Sequence, residues 1–189
     1  MKDITENKVF KNIDYSKKSL TRGAYDNCTF VGCDFSDSDL SDIVFVECAF
    51  DNCNISMAKM SNTALKDVKF SNCKLLGLNF NDCNGFLLSL EFEECQLNLA
   101  SFYKLKIKGT SFKNCNLNES DFTETDLTAS TFTNCDLNRA IFGNTNLEKV
   151  DFRTSHNYSI DPEINRMKKA KFSKDGILGL LDKYDIVVE

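Results

Sequence analysis

The residues with most chemistry to offer are nine cysteines: Cys28, Cys33, Cys48, Cys53, Cys73, Cys83, Cys95, Cys115 and Cys135. Thiolates hold zinc, pair as disulfides and act as nucleophiles. Cys28/Cys33 and Cys48/Cys53 form two C-x4-C pairs, but zinc sites favour the shorter C-x2-C spacing. The first six cysteines fall on one residue of a five-residue frame, and the last three do so after that frame shifts by two. One rule therefore covers all nine: a small side chain buried at a fixed position of a repeat. Metal ligation and disulfides are not expected, and the thiols are read as reduced and inert filler. The other candidate is the single histidine, His156, beside Ser155. A nucleophile–base pair needs an orienting third group and a pocket, and the sequence shows neither. No phosphate-binding G-x-x-x-x-G-K-[ST] and no G-x-G-x-x-G occurs. The expectation is a protein without catalytic residues, metal or cofactor.

The frame that carries the cysteines organises the chain. A phrase beginning with Phe and holding a Cys returns at Phe30, Phe50, Phe70, Phe92, Phe112 and Phe132, every twenty residues except for one interval of twenty-two. From Phe10 to Phe80 an apolar residue stands at nearly every fifth position. The frame slips by two within Asn81–Phe86, resumes at Leu87 and runs to Phe152. A helix repeats every 3.6 residues and a strand every 2, so neither accounts for a period of five. Five-residue units with two inward residues, the centre and the one two before it, make each unit one side of a coil. Four units make the twenty-residue interval, the mark of a repeat architecture.

These units resemble those of the pentapeptide-repeat proteins, A(D/N)LXX. The pattern stands as CDF at Cys33–Phe35, SDL at Ser38–Leu40, CNL at Cys115–Leu117, SDF at Ser120–Phe122, TDL at Thr125–Leu127 and CDL at Cys135–Leu137. The resemblance covers about residues 10–152. It implies an all-β solenoid, a right-handed quadrilateral β-helix of about 7–8 coils and roughly 35–40 Å in length at about 4.8 Å per coil. Stacked in this way, Phe10, Phe30, Phe50, Phe70, Phe92, Phe112, Phe132 and Phe152 form one column, provided that the two extra residues bulge out at a corner. Gly or Asn two residues after the phenylalanine suits the positive φ of a type II turn, with Glu94 the misfit.

Outside the repeats, residues 1–8 read as an N-terminal cap and residues 153–166, which hold the only proline, as a terminal loop. The β-helix is thus placed at 1–172 and a short C-terminal helix with its tail at 173–189. Ser173 is the expected N-cap, the helix runs to about Lys183, and Asp185–Glu189 is a candidate strand. The helix residues Ile177, Leu178, Leu180, Leu181 and Tyr184 exceed what a lid over the last coil needs, so a homodimer joined through the C-terminus is expected.

With 23 Lys and Arg against 28 Asp and Glu, the net charge is −5, which does not favour direct binding to nucleic acid or an anionic membrane. No apolar run approaches a membrane span, MKDITENKVF lacks a signal-peptide core, and a cytoplasmic location is expected. Between Gly23 and Ala58 there are seven acidic residues and no basic one; Asp34, Asp37, Asp39, Asp42 and Glu47 are the expected partner-binding set. The chain is similar to the quinolone-resistance group of the family. That resemblance implies a non-enzymatic DNA mimic binding a type II topoisomerase, DNA gyrase or topoisomerase IV, and protecting it from quinolone-type poisons. A general protein–protein interaction scaffold is the alternative.

Overall fold

The computed structural model describes residues 3–187. The chain winds as a four-sided β-solenoid of parallel strands. One side carries β2 (Val9–Lys11), β4 (Thr29–Val31), β6 (Ala49–Asp51), β8 (Val68–Ser71), β9 (Leu90–Glu93), β10 (Ser111–Lys113) and β11 (Thr131–Thr133), stacked in that order. Their register places Phe10 on Phe30, Phe30 on Phe50, Phe50 on Phe70, Phe70 on Phe92, and Phe92 through Phe112 to Phe132. Bridges from Thr131 to Asp151 and from Asp151 to Lys171 carry this side two coils further. An adjoining side holds β1 (Ile4–Glu6), β3 (Ala24–Asp26), β5 (Val44–Val46) and β7 (Ala64–Lys66). The strands are short because each side is a single five-residue unit, and a corner ends it.

The interior is a set of side-chain columns. Phe112 stacks on Phe92 and Phe132 at 5.1 and 4.7 Å and meets Phe102 and Phe122 edge-on at 5.8 and 6.0 Å. Two aromatic columns thus interlock through the second half of the rod, the edge of one ring set against the faces of the other. Phe172 stacks on Phe152 at 5.4 Å and ends the first column as expected.

The corners need a left-handed residue, which Gly and Asn adopt most readily. Gly32, Asn52, Asn72, Asn114 and Asn134 all have positive φ, and so does Glu94. The expected type II turns are elsewhere, however. Corners such as Phe35–Ser38 and Phe122–Thr125 close the i→i+3 hydrogen bond, at 3.1 Å in each case. The corners that follow Phe30 to Phe132 are open bends, with strand geometry continuing to the bend itself. Another corner column runs from Asn7 through Asn27, Glu47 and Asp67 to Leu87, then through Gly109, Ala129, Lys149 and Lys169, every residue at positive φ.

Four boundaries differ from the sequence reading. Residues 4–6 are no bare cap, because β1 pairs with β3 and begins the first coil. The two extra residues enter between Asn84, still twenty residues from its partner Ala64, and Leu90, twenty-two from Val68. Leu87 is consequently not an inward centre: it and Phe86 are 56% and 77% exposed, while Leu88 and Leu90 turn toward the core. Residues 153–166 are mostly coil rather than loop: His156 bridges Asp136, Arg166 bridges Asn146, and Tyr158 and Ile160 are buried. Asn157 at a centre position hid that side from the frame.

No α-helix forms after Ser173. Gly176–Leu180 and Asp182–Tyr184 are 3-10 turns, and Asp185–Val187 are not strand; the last two residues of the expected strand lie outside the described residues. Gly176 and Gly179 press against Tyr158, where a Cβ would collide with its hydroxyl and its carbonyl oxygen respectively. Each glycine also costs an α-helix about 1 kcal/mol, more than so short a segment can absorb. Ser173 still caps, its Oγ accepting the Gly176 N–H at 2.9 Å.

Candidate partner-binding surface

All nine cysteines are buried and unpaired by disulfides. Their thiols do more than fill space. Cys53 donates to the carbonyl of Phe30 at 3.4 Å and Cys73 to that of Phe50 at 3.4 Å; Cys95 and Cys135 do the same to Phe70 and Phe112. In each case the acceptor is the centre residue of the coil below. At several inward Ser and Thr positions the hydroxyl repeats the contact, as in Ser120 to Leu97, Thr125 to Phe102 and Thr145 to Phe122, each at 2.8 Å, whereas Ser38 and Thr110 bond the carbonyl three residues back in their own coil. At Leu97, Phe102 and Phe122 the hydroxyl is a second donor, because each carbonyl also accepts the N–H three residues on, from Ala100, Leu105 and Thr125 at 3.0, 3.0 and 3.1 Å. Eight of the nine cysteines follow open bends, the exception being Cys83 after a 3-10 turn; at Ser155 the phenylalanine-side corner closes instead, with a 3.0 Å bond to the Phe152 carbonyl. Burial pushes the Cys48 thiol up to about 11 and the Cys83 thiol up to about 12, so both stay protonated at neutral pH.

Ser155 and His156 form no nucleophile–base pair. The Ser155 hydroxyl is spent within the ladder, donating to the Phe132 carbonyl at 2.7 Å and accepting the Cys135 N–H at 3.3 Å. His156 does line a cleft of about 460 Å³ between the last coil and the C-terminal turns, which no residue pattern marks. Asp175, Asp182 and Tyr158 share it, and the Tyr158 hydroxyl is the buried side-chain polar atom left without a partner among the described residues. The described residues bring together no group of three or more His, Cys, Asp or Glu able to hold a metal ion.

The five acidic residues lie on the outside but do not form one stripe. Asp34 sits mid-side, bridged to Asp14 and Asn54; Asp37 occupies the next corner; Asp39 stands mid-side beside Lys59; Asp42 and Glu47 hold two further corners. They therefore wrap part of a single turn rather than run along the rod. Arg22, just before the acidic stretch, reaches into it, with nitrogens 3.5 Å from the Asp39 carboxylate and 3.8 Å from that of Asp42. Hydrogen bonds from Ser41, then the charges of Arg22 and Lys59, hold the Asp39 carboxyl below its ordinary value. Linear counting from Gly23 missed this arginine, which the winding returns one coil below its partners.

The C-terminal residues divide by role. Leu180 packs against the core and Leu181 is half-buried, whereas Ile177, Leu178 and Tyr184 are exposed beside Ile186 and Val187. The segment is fastened to its own rod. Lys183 Nζ lies 2.8 Å from Asp161 and 2.6 Å from Glu163, the Tyr184 hydroxyl donates to Glu163 at 2.9 Å, and the Ile160 N–H donates to the Gly179 carbonyl at 2.9 Å. Among the described residues no helix is long and apolar enough to cross a membrane.

Comparison with known proteins places this geometry. No curated protein matches the chain. Among solved structures, a trypsin-treated variant of QnrB1, a plasmid-mediated fluoroquinolone resistance protein, superposes with a TM-score of 0.72 and 18% identity, over 99% of this chain and 92% of that one. HetL, a pentapeptide repeat protein involved in heterocyst differentiation regulation from the cyanobacterium Nostoc sp., is 14% identical over 92% of this chain and 90% of its own, with a TM-score of 0.45. The family model described as the pentapeptide repeat region matches residues 24–86 and 86–157. The chain belongs to the pentapeptide-repeat family.

Proposed function

We propose that the chain is a non-catalytic binding protein whose rod engages a type II topoisomerase, DNA gyrase or topoisomerase IV, in place of DNA. The observation that carries the reading is the likeness to a fluoroquinolone resistance protein over nearly the whole of both chains, in a solenoid whose inward groups are spent on packing and carbonyl donation. Its second and third coils supply the negative field that a DNA-binding groove would attract, with Asp34, Asp37 and Glu47 the residues that Arg22 does not reach. The exposed end formed by Ile177, Leu178, Tyr184 and Ile186 fits a C-terminal homodimer, which would double the length of the rod.

A general interaction scaffold is the second reading, favoured by the belt-like spread of the acids and by the lysines above them. The test is direct. Purified chain added to gyrase should inhibit supercoiling or relieve quinolone-trapped cleavage, and Asp34→Lys/Asp37→Lys/Glu47→Lys should lose the effect. Inactivity in both assays, with another protein recovered as the partner, would favour the scaffold.

A further inference from the structure

The corner column from Asn7 to Lys169 is an edge whose charge reverses along its length. Near its start lie Asp26, Glu47 and Asp67; near its end lie Lys149, Arg166, Lys168 and Lys169, all exposed. The last coils place these four cations side by side: the Lys149 N–H donates to the Lys168 carbonyl at 3.0 Å, and the Leu147 N–H to the Arg166 carbonyl at 2.7 Å. Some basic residues of the rod are engaged in ion pairs, for example Lys69 with Glu91 and Glu93, Lys108 with Asp126, and Arg153 with Asp151, while Lys59, Lys66, Lys74 and Lys106 stand scattered without one among the described residues. Among the described residues, Lys149, Arg166, Lys168 and Lys169 form no ion pair. The two charged ends are about six coils apart, or roughly 30 Å, and a rigid solenoid cannot bring its own ends together.

The middle of the same edge carries an exposed apolar pair. The bulge presents Phe86 and Leu87 to solvent on the fifth of its nine rungs. Beside them lies a notch of about 260 Å³, floored by Val68 and Leu90, flanked by Asp67 and the Lys69–Glu91 ion pair, and left open at Gly109, where a side chain would meet nothing. A knob next to a notch at the centre of an edge, with opposite charges at its two ends, is self-complementary under a two-fold axis crossing that edge.

We infer that this edge is a docking surface for a second copy of the chain laid antiparallel along it. With the axis between Leu87 and Gly109, the Phe86–Leu87 knob enters the partner's Gly109 notch. Glu47 then faces the partner's Lys149, and Asp26 the partner's Lys168. The two residues of discordant charge fall opposite neutral ones, Lys66 opposite Thr128 and Glu148 opposite Val46. Every contact occurs twice, as an isologous interface requires. This lateral pairing is separate from the end-on contact through Ile177 and Leu178, and it stands whether or not the partner in the cell is a topoisomerase.

The test is sedimentation velocity on an Ile177→Asp/Leu178→Asp background, which removes the end-on contact. Pairing should form at about 0.01 M salt, where charges act over about 30 Å, and dissolve at about 1 M, where they act over about 3 Å. Lys149→Glu/Lys168→Glu/Lys169→Glu should abolish it, and so should Asp26→Lys/Glu47→Lys. Mixing these two variants should restore pairing, because each reversed end then meets an opposite charge. Phe86→Asp should weaken it at least tenfold. A background chain that stays single at low salt would overturn the inference. So would a mixture that fails to recover although both variants keep the native circular dichroism, or a single chain that retains duplex DNA on the basic end instead.

Discussion

Replacing Phe112 by alanine removes a ring buried to 0% exposure, stacked on Phe92 and Phe132 and edge-on to Phe102 and Phe122. Phe10 heads the same column but is only half-buried, with one stacked partner, Phe30 at 4.8 Å, and one edge partner, Tyr25 at 6.0 Å. A buried Phe→Ala change costs about 3–5 kcal/mol, and each aromatic pair contributes about 0.5–1.5 kcal/mol beyond its area. Phe112 loses four such pairs and leaves a closed cavity between two coils. Phe10 loses two, and the gap opens to solvent. Phe112→Ala should therefore cost about 4–5 kcal/mol and Phe10→Ala about 1–2 kcal/mol. Urea unfolding followed by circular dichroism measures both, with m compared to confirm that the same surface unfolds. Equal losses for the two, or a loss below about 2 kcal/mol at Phe112, would refute the claim that the stacked column holds the coils together.

Two further outcomes follow from the same structure. Thr125→Val keeps the shape of the inward side chain but removes one of the two donors to the Phe102 carbonyl, which still accepts the Leu105 N–H, so urea unfolding should show a loss of about 0.5–1.5 kcal/mol; no loss would return the inward residues to the role of filler. Lys183 holds the Asp161 and Glu163 carboxyls below their ordinary values of 3.8 and 4.5, chiefly by hydrogen bonding. A lowered folded-state pKa adds stability that is present above those values and lost as pH falls below them. Hydrogen exchange of the amides around Gly179 should therefore quicken on acidification below about pH 4, and Lys183→Ala should remove most of that pH dependence.

Much of the rod was legible because a buried position repeated nine times leaves a period that no surface substitution erases. The phenylalanine column, the inward cysteines and Phe172 as the last rung all follow from it. The period was silent where a side departs from it. Ile4–Glu6 pairs through its backbone with an exposed Ile4, so no apolar frame marks it. Asn157 breaks the frame on a side that nonetheless continues. The C-terminal apolar residues read as a helix because hydrophobic spacing is visible in a sequence, whereas the approach of Tyr158 that requires Gly176 and Gly179 is not. The candidate surface was least legible. Arg22 joins Asp39 and Asp42 only because the chain winds back after twenty residues, and the donors at the inward positions show themselves only once one coil lies on another.

The central claim is that the outside of this rod, at its acidic coils, takes the place of DNA on a topoisomerase. Its most direct measurement is binding of the purified chain to DNA gyrase in the presence of increasing duplex DNA. The account predicts saturable binding that the duplex displaces and that Asp34→Lys/Asp37→Lys/Glu47→Lys abolishes without loss of fold. Binding unaffected by both the duplex and the charge reversal, or no binding at all, would contradict it.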